Sequence, residues 1–164
     1  MSGRIFLYGD DIDTDRIIPG KYTKTLDRRE LAAHVFEDLD PDFRTKVKAG
    51  DIVVAGHNFG CGSSREQAAI AIQEAGVALV VARSFARIFF RNAINVGLPL
   101  VEIEDHTIAA DSLLSYDLAA GRVYDLTQDK AYSVAALPPF LREIMAAGGL
   151  VPYLRDHGRY PSLT

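Results

Sequence analysis

Cysteine is nearly absent: Cys61 is the only one in 164 residues, and tryptophan is missing altogether. A lone cysteine excludes a disulfide within the chain and makes a reducing compartment the simpler expectation. It also excludes an iron–sulfur cluster held by this chain alone, since such clusters take about three or four cysteine ligands. Histidine is scarce and scattered (His34, His57, His106, His157), with no pair at the helical spacing of a zinc site. Any metal this protein uses is therefore expected to come mostly from another chain. Positive charge is not in excess: the formal net charge is −4, which leaves no basic stripe for nucleic acid. No apolar run approaches the roughly 20 residues that span a bilayer. The first residues lack the basic-then-apolar layout of a signal peptide, so the cytoplasm is the expected location.

What is present is ordinary for a globular chain. At 48% hydrophobic and 24% charged residues it can bury a core. Its length suits a single domain over residues 1–164. Gly3 to Tyr8 reads as a strand, followed by a loop from Gly9 to about Thr25 in which Pro19 and Gly20 forbid a continuous helix. A helix from Asp27 to His34 is expected to be capped by Asp27.

The middle is the clearest stretch. Asp51–Ala55 is a β-branched strand, and a helix from about Ser63 to Ala75 follows a glycine-rich turn. Val77–Ala82 is an unbroken apolar strand of the kind covered on both faces. Ser84 is expected to cap a second helix running to about Val96, with Leu98–Ile103 as the next strand. Strand–helix alternation with short connections implies parallel strands and right-handed crossovers. Beyond Asp105, Tyr116–Leu118 and Val123–Leu126 read as a hairpin and Ala131–Val134 as a third short strand. A helix is expected to start at Pro138-Pro139, and a last short helix at Val151–Arg155. The fold class is α/β, with parallel central strands and a hairpin–helix appendage.

Two segments carry chemistry. Gly56 to Ala69 reads GHNFGCGSSREQAA, with three glycines between a buried strand and a helix, so backbone can approach a ligand closely. Ser63 or Ser64 then opens the helix, where unpaired N–H groups favour an anion. Arg65 adds a planar fork suited to a carboxylate. The same residues, Ser63-Ser64-Arg65-Glu66, also read as an ordinary capping box. The spacing fits neither a phosphate-binding loop nor a nucleophile elbow. The second segment, GDDIDTDRIIP from Gly9 to Pro19, packs Asp10, Asp11, Asp13 and Asp15 together without the glycine and glutamate of a calcium-binding hand. It reads either as a solvated turn or, by its place after the first strand, as part of a site at the sheet's carboxyl edge.

The segments GDDIDTDRIIPGKY, AGDIVVAGHNFGCGSSREQA and VVARSFARIFFRNAINVGLPLVE, in this order between Gly9 and Glu102, resemble the small subunit of the aconitase superfamily, in its 3-isopropylmalate dehydratase and homoaconitase branch. The resemblance implies a swivelling β/β/α domain that closes over a [4Fe–4S] cluster held by a separate large subunit, in a heterodimer or heterotetramer. It implies reversible dehydration and rehydration of a 2-substituted malate, the cluster's open iron acting as Lewis acid. By motif position Ser63 would be the catalytic base, and Ser64 and Arg65 would hold a substrate carboxylate. Asp15 would support the site by orienting a cation or a proton relay. Cys61 would be a small buried residue rather than a ligand. Where many relatives read GSSREHA this chain has Gln67, expected to act on the site indirectly.

Substrate choice in this branch resides in the loop Gly20-Lys21-Tyr22-Thr23-Lys24-Thr25. Tyr22 and Lys24 are the candidate contacts there, Lys24 lying near the arginine that pairs with a distal carboxylate in homoaconitases. Isopropylmalate leads, with homocitrate-derived and methyl-substituted malates as alternatives. Two other classes remain: an RNA-binding or regulatory module, against which the acidic balance counts, and a self-sufficient serine hydrolase using Ser63.

Overall fold

The structure, a computed structural model, describes residues 2–161. Seven strands form one mixed sheet in the order β4-β3-β2-β1-β5-β6-β7. Strands β1 (Ser2–Leu7), β2 (Ile52–Ala55), β3 (Leu79–Ala82) and β4 (Leu100–Glu102) are mutually parallel, with Ile5 opposite Ile52, Val53 opposite Val80 and Val80 opposite Leu100. Strands β5 (Leu113–Asp117), β6 (Arg122–Asp125) and β7 (Lys130–Ser133) continue antiparallel from the other side of β1.

The parallel strands follow one another in chain order. With crossovers of one hand, that order sends every connecting helix to the same face. Helices α1 (Thr14–Ile17), α2 (Arg28–Ala33), α3 (Phe43–Lys46), α4 (Glu66–Glu74) and α5 (Arg87–Val96) make these connections. Val53, Ala55, Val80 and Ala82 of β2 and β3 pack beneath this layer with Leu31, Phe43, Ile72 and Phe89. The alternate residues Ile52, Val54, Leu79 and Val81 point the other way and need a different cover. The sheet curls to supply it: Leu114, Val123 and Tyr132 of the antiparallel strands pack on them. The result is three layers, β/β/α, with β2 and β3 fully buried. Helices α6 (Pro139–Ala146) and α7 (Leu150–His157) close the end of α5.

Several expectations shift at their edges, and two shifts bear on function. Helix α4 begins at Glu66 with Arg65 as N-cap and no side-chain cap, so Ser63 and Ser64 stand in the loop ahead of it. Helix α5 begins at Arg87, and Ser84 does not cap it. The cause is common to both. Beyond the ends of β1, β2 and β3 the loops go on pairing, through bridges at Asp13–Cys61 and Phe59–Phe85. Ser84 is used in that pairing: its carbonyl accepts from Phe59 N–H and its hydroxyl from Asn58 N–H. Extended pairing holds these residues in β geometry, and the helices start later. Asp27 does cap α2, accepting from the N–H groups of Arg29 and Glu30. Asp13 caps the extra turn α1 inside the first loop.

Candidate functional site

Three loops meet at the carboxyl edge of the parallel strands: residues 8–13 after β1, 56–65 after β2 and 83–86 after β3. Hydrogen bonds join them in sequence. Gly56 and Gly60 N–H donate to Gly9 O (3.0 Å) and Ile12 O (2.8 Å), Thr14 N–H donates to Cys61 O (2.9 Å), and Ala86 N–H donates to Phe59 O (2.9 Å).

The acidic cluster belongs to this joint. Asp10 Oδ1 accepts from His57 N–H at 2.6 Å, Asp11 Oδ1 from Asn58 Nδ2 at 2.8 Å and Asp13 Oδ1 from Arg16 N–H at 2.8 Å. Gly56 is glycine because Asp10 leaves no room: a Cβ there would lie 1.8 Å from Asp10 Oδ1. Gly60 has φ +79°, and its missing Cβ would sit 2.2 Å from the ring of Phe89. The glycine-rich turn thus fits itself to the neighbouring loop and helix first, and presents Ser63 as a consequence.

Ser63 is exposed. Its carbonyl accepts from the hydroxyl of Thr14, a residue only 2% exposed, at 2.9 Å. The backbone at Ser63 is therefore fixed from a buried neighbour, while its own hydroxyl has no hydrogen-bond partner among the described residues. Arg65 is half-buried and forms an ion pair with Asp15, and its Nη1 also reaches Ile18 O at 3.5 Å. The pair joins the loop after β1 to the loop after β2. Thr14 is a positioning residue that motif reading passed over; its only sequence signal is its place beside Asp15.

Ser63, Arg65 and Thr14 line one cavity of about 390 Å³, together with Gly60, Gly62 and the first turn of α5 from Ala86 to Phe89. In that turn Phe89 is buried, whereas Arg87 and Ile88 are exposed. No histidine lines the cavity. Ser64 is exposed and is not among its lining residues.

Tyr22 and Lys24 are not brought to this cavity either. The chain makes a 3-10 turn at Gly20–Tyr22, which lays the Tyr22 ring on His34 with centroids 3.7 Å apart and its hydroxyl against Glu37. Lys24 is exposed, with no hydrogen bond or ion pair among the described residues. Gln67 ties this loop to the site instead, donating to Thr23 O at 3.0 Å.

An iron–sulfur cluster does not fit this chain. Cys61 is half-buried, and burial, followed by Asp13 and Asp11, pushes its thiol up and disfavours the thiolate a metal needs. Among the described residues no three His, Cys, Asp or Glu side chains converge as ligands. Nor is any described helix long and apolar enough to cross a membrane.

Residues 7–106 match the family model of the aconitase C-terminal domain, and the chain belongs to that family. It is 53% identical over 156 residues to the 3-isopropylmalate dehydratase small subunit of Moorella thermoacetica, covering 94% of each chain. It is 51% identical over 154 residues to the 2,3-dimethylmalate dehydratase small subunit of Eubacterium barkeri, covering 93% of this chain and 94% of the other. A crystal structure of 3-isopropylmalate dehydratase from Methanocaldococcus jannaschii is similar with a TM-score of 0.88 at 48% identity, over 96% of this chain and 94% of that one.

Proposed function

We propose that this chain is the small subunit of a two-subunit hydro-lyase that interconverts 2-isopropylmalate and 3-isopropylmalate by dehydration and rehydration, in the cytosol, with a cluster-bearing large subunit. The observation that carries the reading is a cavity lined by both Ser63 and Arg65, the latter paired with Asp15. The names of the relatives above support it, Eubacterium barkeri's showing that a differently substituted malate is served by a chain of nearly the same similarity.

Ser63 is the base that takes the proton from the carbon beside a carboxylate. An ordinary hydroxyl is far too weak an acid to ionise at neutral pH, so the alkoxide has to be stabilised where it forms. With Ser63 ahead of the helix rather than at its cap, that task falls more on Arg65 and the loop N–H groups than on the α4 dipole. Arg65 holds a substrate carboxylate. Ile88, 50% exposed in the same cavity, offers apolar surface for an alkyl substituent. That feature favours isopropylmalate over a substrate with a third carboxylate. The cluster belongs to the large subunit, which would close on this edge of the sheet.

The test is an anaerobic assay of the chain with its cognate large subunit, following the ultraviolet absorbance of the alkene intermediate. Isopropylmalate, 2,3-dimethylmalate and homocitrate are compared. Isopropylmalate is expected to give the highest kcat/KM. The Ser63→Ala variant is expected to lose about 10²–10⁴-fold in kcat with assembly intact. Near-wild-type turnover by that variant would remove Ser63 from the chemistry.

A further inference from the structure

Arg65 is paired on one side with an acid that stands in solvent, the Asp15 side chain being 58% exposed. An exposed pair of that kind gives a direction but holds a long side chain only weakly. Its other contacts are with backbone. Ile18 O lies 3.5 Å from Nη1, and Gly20 is seated against the pair. A Cβ on Gly20 would lie 3.4 Å from Asp15 Oδ1 and 3.5 Å from Arg65 Nη2, which is ordinary contact distance. The orientation of the guanidinium therefore depends on where the turn Gly20–Tyr22 is held.

That turn is a single 3-10 turn with no side-chain cap, a geometry with little stability of its own. It is held from two sides. Glu37 takes Lys21 Nζ at 3.1 Å on one carboxylate oxygen and the Tyr22 hydroxyl at 3.4 Å on the other. Gln67, two residues after Arg65, donates to Thr23 O at 3.0 Å. Glu37 has a firm base. His34 Nδ1 lies 2.6 Å from its carboxylate, and the N–H of its buried neighbour Phe36 donates to Ile17 O at 2.8 Å. Ile17 ends α1, the helical turn that also carries Asp15. The contacts form a closed circuit, from Asp15 along α1 to Glu37, then through the turn to Gly20 and onto Arg65.

We propose that Glu37 is a positioning residue for Arg65. With Gln67 it clamps the Gly20–Tyr22 turn against the guanidinium, so that the carboxylate-binding fork is set before substrate arrives. This rests on the functional reading above, in which Arg65 holds a substrate carboxylate. Neither Glu37 nor Gln67 lines the cavity, and each acts through the turn. A side chain set in advance does not have to be ordered at the moment of binding.

The test uses the assembled pair of subunits and the variants Glu37→Gln and Gln67→Ala, with Asp38→Asn, the exposed acid beside Glu37, as control. Each is also made in an Arg65→Lys background, where the charge remains and the fork is gone. Steady-state kinetics with isopropylmalate, affinity between the subunits and thermal stability are measured on all of them. Glu37→Gln is expected to raise KM about tenfold with kcat within about twofold, the size of a weakened hydrogen bond to a charged group. Gln67→Ala should raise KM about threefold, and Asp38→Asn should leave it unchanged. In the Arg65→Lys background the further loss of kcat/KM caused by Glu37→Gln should shrink below about twofold, because the fork it positions is absent. An equal loss in both backgrounds overturns the proposal, as does an unchanged KM. A rise in KM that follows weaker subunit association or a fallen melting temperature also overturns it and makes the clamp structural. If the wild-type pair turns over isopropylmalate and Glu37→Gln matches it, this inference alone fails. If the wild-type pair turns over none of the substituted malates, the functional reading itself fails and this inference falls with it.

Discussion

Arg65 and Asp15 lie fifty residues apart in sequence, and their pairing separates two uses of an ion pair. The Asp15 side chain is 58% exposed, and exposed pairs contribute only about 0–1 kcal/mol to stability. On the proposed function its value is orientation, holding a planar donor at the Ser63 cavity in advance of substrate. Asp15→Asn is therefore expected to leave thermal stability nearly unchanged and to raise KM about tenfold, equivalent to about 1.4 kcal/mol of binding. A large drop in melting temperature with unchanged KM would reverse the assignment and make the pair structural. At this scale the sequence was legible for residue type but not for surroundings. Ser63, Arg65 and Asp15 stand out by motif, whereas Thr14 does not, because a buried hydroxyl is defined by neighbours distant in the chain.

Loops and helix starts set the geometry of the site. The turn after β2 bends at Gly60 in the left-handed region, directly beneath the ring of Phe89 on α5. Gly60→Ala combines a left-handed penalty of about 1–2 kcal/mol with overpacking of about 1–3 kcal/mol, so a loss of about 2–4 kcal/mol is expected. A urea titration measures it, and a loss below about 0.5 kcal/mol would mean that loop and helix part freely. Because Phe89 and Arg87 share a turn, the variant should also disturb the cavity. Element existence was readable from hydrophobic periodicity: the strands of the parallel half and the helices between them fall close to where the apolar runs place them. The starts of α4 and α5 were not. Ser63 and Ser84 have the chemistry of caps, and local preference alone would begin helices there. Pairing between the loops that follow β1, β2 and β3 outcompetes that preference, and it is a contact between segments the sequence does not show to be neighbours.

Across the whole molecule, His106 links the sheet to its cover. It is 5% exposed, its Nε2 lies 3.0 Å from Ala55 O at the end of β2, and its Nδ1 has no partner among the described residues. Burial, with further help from Arg83 and His57, lowers its pKa from the ordinary 6.5. Above that value the imidazole is neutral in native and unfolded chains alike and stability is unaffected. As pH falls below it the unfolded chain binds a proton that the native one excludes, so stability should decline until pH drops beneath the native value. Denaturant midpoints between pH 7.5 and pH 5 test this, with His106→Gln expected to flatten that part of the profile. An equal decline in the variant would place the pH dependence elsewhere.

The sequence by itself determined the class of fold and its chemical equipment. Apolar runs bounded by glycine turns fix parallel strands with intervening helices, and a lone cysteine rules out a cluster held here. The loop residues Ser63, Arg65 and Asp15 are picked out by the resemblance of their segments to the aconitase superfamily. Only the tertiary structure decided which of them meet. The chain-ordered strands put every crossover helix on one face and curl the antiparallel strands over the other. Three loops far apart in sequence are thereby brought to one edge, where their backbones pair. Ser63, Arg65 with its acid and Arg87 lie at that edge, while the turn at Gly20–Tyr22 lays Tyr22 against His34. The physical reason is the range of the interactions: periodicity and turn chemistry act over a few residues, whereas a site is defined by contacts across about fifty.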